Sequence, residues 1–297
     1  MNQTKTAFFF VLLLVLWGVY GILQTPDSSE WTMSDEGLIS YPKRGDVVYS
    51  ITDMDNTGTS DTLKLVSFES QNVVINGLLR IPGSDTKVPA VVLLPGAGVT
   101  KENEQGLASI ISSMGYASIA LDQRNLGGID PQSDLEMFKT GMEPVEYSMV
   151  YDVLKATDVL RAQPQIDAGN IAVIGSSNGG RFAIIATALD PAIKGVIGIS
   201  TSGYDTDSIN PARVSDMEAY TFYRSIDPDM YIRQISPRRV VMLHSFNDTI
   251  IPYGMAQKTF GKAGESKAMY NITDSTHGYT SSMQPYLEQE LRTIFGF

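Results

Sequence analysis

Ile171-Ala172-Val173-Ile174-Gly175-Ser176-Ser177-Asn178-Gly179-Gly180-Arg181 passes without interruption from an apolar strand, through a serine framed by glycines, into the start of a helix. This is the pattern of a nucleophile elbow, in which a serine occupies a sharp strand-to-helix turn. The need for glycine is steric. The serine backbone is strained, and Gly175 and Gly179, two places to either side, let neighbouring backbone come close. A serine placed there also sits at a helix N-terminus, where backbone dipoles favour developing negative charge. Ser176 is adjacent, but only Ser177 lies at the centre of the glycine frame. A chain with 26 glycines meets such a pattern by chance often enough that its surroundings must decide its meaning.

A serine hydroxyl is a weak nucleophile at neutral pH, so it needs a base and a further group to orient that base. The chain has two histidines. His277 follows the strand-like run 268–272, within Asp274-Ser275-Thr276-His277-Gly278-Tyr279, on a loop able to return to the elbow. It is read as the general base. His244 directly follows the apolar run 240–243 and is read as a structural residue at a strand end. Asp248, in Ser245-Phe246-Asn247-Asp248-Thr249-Ile250-Ile251-Pro252, lies on the loop beyond that strand and is read as the acid that holds the imidazole tautomer. Asp205, shortly after a strand ending near Ser200, is the rival acid. Asp122 and Arg124, at another strand end, are read as structural ion-pairing residues rather than machinery.

From Thr62 onward, short strand-like runs alternate with helix-like stretches, which predicts a mainly parallel sheet covered on both faces. Residues 63–69 and 73–81 read as an opening hairpin around Ser70-Gln71-Asn72. Further strands are predicted at 88–94, 116–121, 171–174, 194–199 and 239–243, and helices at 102–114, 147–161 and 181–189. Two stretches, 125–146 and 204–237, break the rhythm. Both follow strands, and loops at the carboxyl ends of parallel strands line the ligand crevice, so both are expected to build the substrate pocket.

The order Ser177, Asp248, His277 is joined by Ile75-Asn76-Gly77-Leu78-Leu79, Leu93-Leu94-Pro95-Gly96-Ala97-Gly98 and Asp122-Gln123-Arg124-Asn125-Leu126-Gly127. On these motifs the chain from about residue 63 to its C-terminus resembles the α/β-hydrolase superfamily, especially the dienelactone-hydrolase-like and prolyl-oligopeptidase-like branches. The resemblance implies a serine hydrolase that needs no cofactor and no metal. Its leading expectation is cleavage of a small-molecule carboxylic ester through an acyl-enzyme. A serine peptidase or amidase of the same fold is the second reading, and a non-catalytic binding protein of that fold the third. The resemblance places the oxyanion-holding N–H groups at Asn178 and Ala97, with Gly98 as the alternative to Ala97. Two departures stand out: relatives usually carry His-Gly where this chain has Pro95-Gly96, and dienelactone hydrolases proper use a cysteine. The second excludes that particular chemistry, whereas the first leaves the oxyanion to backbone donors that a proline does not supply.

Composition narrows the partners. Acidic residues number 33 against 22 basic ones, and the resulting charge of -11 repels nucleic acid. The absence of cysteine excludes disulfides, thiolate metal sites and a lipid-modified cysteine. Residues 7–23 form an uncharged apolar stretch of 17 residues behind Lys5, about 25 Å long as a helix. No clear small-x-small site follows, which favours an uncleaved membrane anchor over a removed signal, with Lys5 inside and the remainder extracytoplasmic; cleavage would instead give a secreted protein. The expected organisation is an anchor or signal segment over 1–24, a spacer and lead-in over 25–60, and an α/β-hydrolase catalytic domain over 61–297.

Overall fold

A computed structural model describes residues 31–54, 61–274 and 276–297. Strands β1 (Thr32–Met33) and β2 (Ile39–Ser40) pair as a small separate ribbon. Next come β3 (Tyr49–Asp53), β4 (Thr62–Ser70) and β5 (Val73–Ile81), which pair antiparallel in sequence. Gln71 and Asn72 turn the β4–β5 hairpin with φ of 47° and 61°, the doubly positive φ that a tight two-residue loop requires. The remaining strands are β6 (Val88–Leu94), β7 (Ala117–Leu121), β8 (Ile166–Ser176), β9 (Gly195–Ile199), β10 (Arg239–Ser245) and β11 (Lys267–Ile272). They lie parallel to their neighbours in a sheet ordered β11-β10-β9-β8-β6-β7-β5-β4-β3, with β7 antiparallel to β5.

Strands β6, β7 and β9 are buried at every position, which is why they read as unbroken apolar runs rather than alternating ones. Helices cover both faces. On one, α3 (Val145–Arg161) and α4 (Asn178–Leu189) close a core that includes Val150, Val153, Phe182 and Ile185. On the other, α1 (Gln105–Ser113) and α6 (Gln284–Phe295) pack Ile111, Leu287 and Leu291 against Val91, Ile174 and Val241. Strand β8 runs between β6 and β9 in the interior of the sheet, so the residue after its last position stands well inside the carboxyl edge of the parallel strands.

The expected strands and helices recur within a few residues of their predicted limits. Residues 31–54 of the expected lead-in lie against the domain. The Ile39 N–H donates to the Tyr231 hydroxyl at 2.8 Å, Tyr41 Oη donates to the Tyr147 carbonyl at 2.6 Å, and Arg44 bridges Asp158 and Asp190. The expected membrane segment, residues 7–23, lies outside the described residues; among those described, no helix is long and apolar enough to cross a membrane.

The two insertions depart from expectation. Each contains a helix, α2 (Pro131–Lys139) in the first and α5 (Met217–Ser225) in the second. Phe138 meets Phe222 at 5.6 Å between ring centroids, Phe222 lies 6.3 Å from Tyr147, and Lys139 pairs with Asp216. Their aromatic residues thus bury against one another, and the cavity beside the elbow is walled by other elements.

Candidate active site

Ser177 stands between β8 and α4 with φ 52° and ψ -122°, a conformation that side-chain-bearing residues rarely adopt. Neighbouring strands hold it there. Its N–H donates to the Ile199 carbonyl at 2.9 Å, and Thr201 Oγ1 donates to the Ser177 carbonyl at 2.8 Å. A β-carbon on Gly175 would strike the backbone of Gly179 and Gly180, and one on Gly179 would fall on the carbonyls of Leu94 and Pro95. Gly180, outside the frame read from the sequence, is equally constrained: its β-carbon would meet the Thr201 side chain at 2.6 Å.

Asp248 follows β10 in a turn that folds back on its own carboxylate. Oδ1 accepts the N–H groups of Ile250 and Ile251 at 2.9 and 2.8 Å, and both oxygens face His277 Nδ1, at 3.0 and 2.9 Å. The side chain is fully buried. Burial alone pushes the carboxyl up, but the Ile251 N–H, the His277 ring and the Ile250 N–H outweigh it and hold the pKa below the usual carboxylate value. An ionised carboxylate accepts, so Nδ1 is the donor, and in the neutral imidazole Nε2 is the nitrogen with the free lone pair.

The His277 loop is tied down on three sides. Gly278 N–H donates to Ser200 Oγ at 3.0 Å, Thr249 N–H donates to the Thr276 carbonyl at 3.2 Å, and Asn247 Nδ2 donates to the Thr273 carbonyl at 3.1 Å. Ser200 was legible only as a strand end; a contact reaching across 78 residues leaves no local signal.

Ser177 and His277 open onto one cavity of about 720 Å³, whose walls are the loop after β6, the first turns of α1, and the residues around His277. Ala97 lies on that wall. The Gly98 N–H instead donates to the Leu126 carbonyl at 2.7 Å, which removes it from the cavity's free donors. The loop over residues 124–127 is itself pinned by Asn178 Nδ2, which donates to the Gly127 carbonyl at 3.2 Å, and the Gln123 amide donates to the Pro95 carbonyl.

The other candidates have different employment. Asp205 pairs with Lys258 and Lys262, each at 2.8 Å, and these ammonium groups lower its pKa to about 2. Asp205, Asp207 and Asp229 lie close enough to suit a cation, but Lys262 Nζ contacts all three. Asp122 and Arg124 do form ion pairs, though with Lys101 and Asp152. His244 is buried at the end of β10, where its Nε2 lies 2.9 Å from the Ile251 carbonyl as donor and 3.5 Å from Asp248 Oδ2. Burial lowers its pKa against the opposing pull of that carbonyl and of Asp248.

A central, mainly parallel sheet that delivers a strained serine from an interior strand, with a paired aspartate and histidine on the loops after two successive outer strands, defines the class: the α/β-hydrolase fold. Residues 46–231 match the acetyl xylan esterase (AXE1) family, and over more than half its length the chain belongs to that family. The matched stretch contains the elbow and the Pro95–Gly98 loop and ends before Asp248 and His277. The chain is 24% identical over 164 residues to the acetyl esterase Axe7A of Xylanibacter ruminicola, a match covering 49% of this chain and only 34% of that protein. Among solved structures it resembles the acetyl xylan esterase of Paenibacillus sp. R4 (TM-score 0.70, 17% identity, 83% of this chain and 89% of the other). It also resembles a glucuronoyl esterase of Solibacter usitatus (TM-score 0.65, 15% identity, 90% and 89%).

Proposed function

We propose that this chain hydrolyses carboxylic esters of small acyl groups, acetyl foremost, through an acyl intermediate on Ser177. One observation carries the reading: the buried Asp248 carboxylate holds His277 by Nδ1, and that ring and the elbow serine open onto the same cavity. Membership of the acetyl xylan esterase family supports the acetyl group. In the first half-reaction Ser177 Oγ bonds to the ester carbonyl carbon while His277 Nε2 takes the hydroxyl proton. The oxyanion is held by the N–H groups of Asn178 and Ala97, the first at the start of α4 and the second on the cavity wall. Collapse breaks the bond to the alcohol oxygen, which leaves with the proton from Nε2. Water then attacks the acyl carbon with Nε2 as base, and the acid departs as Ser177 regains its proton.

The test is turnover of a graded series of p-nitrophenyl acyl esters. Turnover is expected to be highest for acetate and to fall with chain length; a folded protein inert on every ester would remove the reading. Placement of the catalytic domain outside a membrane belongs to the same proposal and rests on the apolar residues 7–23.

A further inference from the structure

The cavity carries one charge that the triad does not use. Glu104 lies on its wall, in the turn that starts α1. Among the described residues its carboxylate has no hydrogen bond and no ion pair. Its basic neighbour Lys101 is engaged at 2.6 Å by Asp122 and at 2.7 Å by Glu102. Among the described residues, no lysine or arginine lines the cavity, and the ionisable side chains on its surface are Glu104, His277 and Tyr279. Leu107 and Ile110 follow it along α1 on the same wall, and burial raises its pKa. An unpaired carboxylate beside apolar side chains is poorly solvated, so a cation entering the cavity restores what burial removed, and an anion adds repulsion at low local dielectric.

We propose that Glu104 determines the charge specificity of this site, favouring esters that bring a cationic group into the cavity and disfavouring anionic ones. The inference rests on the ester-hydrolase reading and adds the charge of the substrate to it. Glu104 is a specificity-determining residue here: it touches the substrate away from the reacting carbonyl and transfers no proton.

The experiment compares isosteric pairs at mildly alkaline pH, chosen because burial raises the pKa of Glu104. One pair carries the charge in the alcohol half: choline acetate against 3,3-dimethylbutyl acetate. The other carries it in the acyl half: betaine ethyl ester against ethyl 3,3-dimethylbutanoate. For each, the ratio of kcat/KM, cationic over neutral, is measured in the full chain and in Glu104→Gln. Intrinsic reactivity cancels between the two proteins. The ratio of at least one pair is expected to fall about tenfold in Glu104→Gln, the size of one close charge pair under partial screening. Glu104→Lys should push the same ratio lower still and raise turnover of an anionic hemisuccinate ester.

Ratios unchanged in both pairs, while the neutral esters are still hydrolysed, would overturn the charge role and leave the hydrolase reading standing. Equal loss on charged and neutral esters in both variants would also overturn it, by making Glu104 a structural residue. Failure of the parent chain on all four esters would instead strike the hydrolase reading, and this inference with it.

Discussion

Ser177→Ala and His277→Ala are each expected to lower kcat on p-nitrophenyl acetate by at least about 10⁴-fold, with thermal midpoints close to that of the parent. Neither side chain builds the core, so stopped-ester assays and a melting curve on the same samples separate lost chemistry from lost fold. Gly180→Ala should behave in the opposite way. Its new methyl would meet Thr201 at 2.6 Å, and Thr201 also holds the Ser177 carbonyl, so stability falls by about 2–3 kcal/mol and kcat falls with it. At this scale the sequence was most legible where chemistry is written locally. The elbow needs glycines at fixed offsets, and a chain with two histidines has few ways to supply a base. What it hid were side chains whose role depends on distant partners. Ser200 and Glu104 look like ordinary polar residues until the Gly278 amide and the cavity wall are placed against them.

Elements carry the alignment of Ser177, Asp248 and His277. Ser200→Ala removes the acceptor of the Gly278 N–H and is expected to cost about 1 kcal/mol of stability. A kcat reduced about tenfold with KM little changed would show that the loop then holds His277 less well. His244, at the end of β10, should govern the acid limb of stability. Its folded pKa is lowered by burial, so the unfolded chain binds its proton first. The stability of the neutral buried ring is complete above the unfolded value of about 6.5 and is lost as pH falls from there towards the folded one. Thermal midpoints measured across that range should fall less steeply in His244→Gln than in the parent. Strands were the readable elements because burial on both faces leaves unbroken apolar runs, as in β6 and β7. The helices α2 and α5 escaped notice because their aromatic residues signal burial without saying against what. Phe138 meets Phe222, and Phe222 meets Tyr147, rather than a substrate.

For the whole molecule, the segment ahead of the sheet decides where the chain can be shortened. A chain beginning at Gln24 is expected to fold and hydrolyse esters. One beginning at Asp46, where the family match starts, should lose at least about 3 kcal/mol, because it sheds the buried Ile39 and the Arg44 ion pairs. Denaturant titrations of the two chains test this directly. The sheet order adds a consequence of its own. Ser177 leaves an interior strand, which is paired on both sides, whereas the loop of His277 leaves β11, which among the described residues is the last strand of the sheet and has a neighbour on one side only. Openings of a fold begin at such margins and reach its middle last. On heating, His277 should therefore drift from Ser177 while the interior is still intact, and turnover should vanish at a temperature where circular dichroism still reports a full complement of sheet.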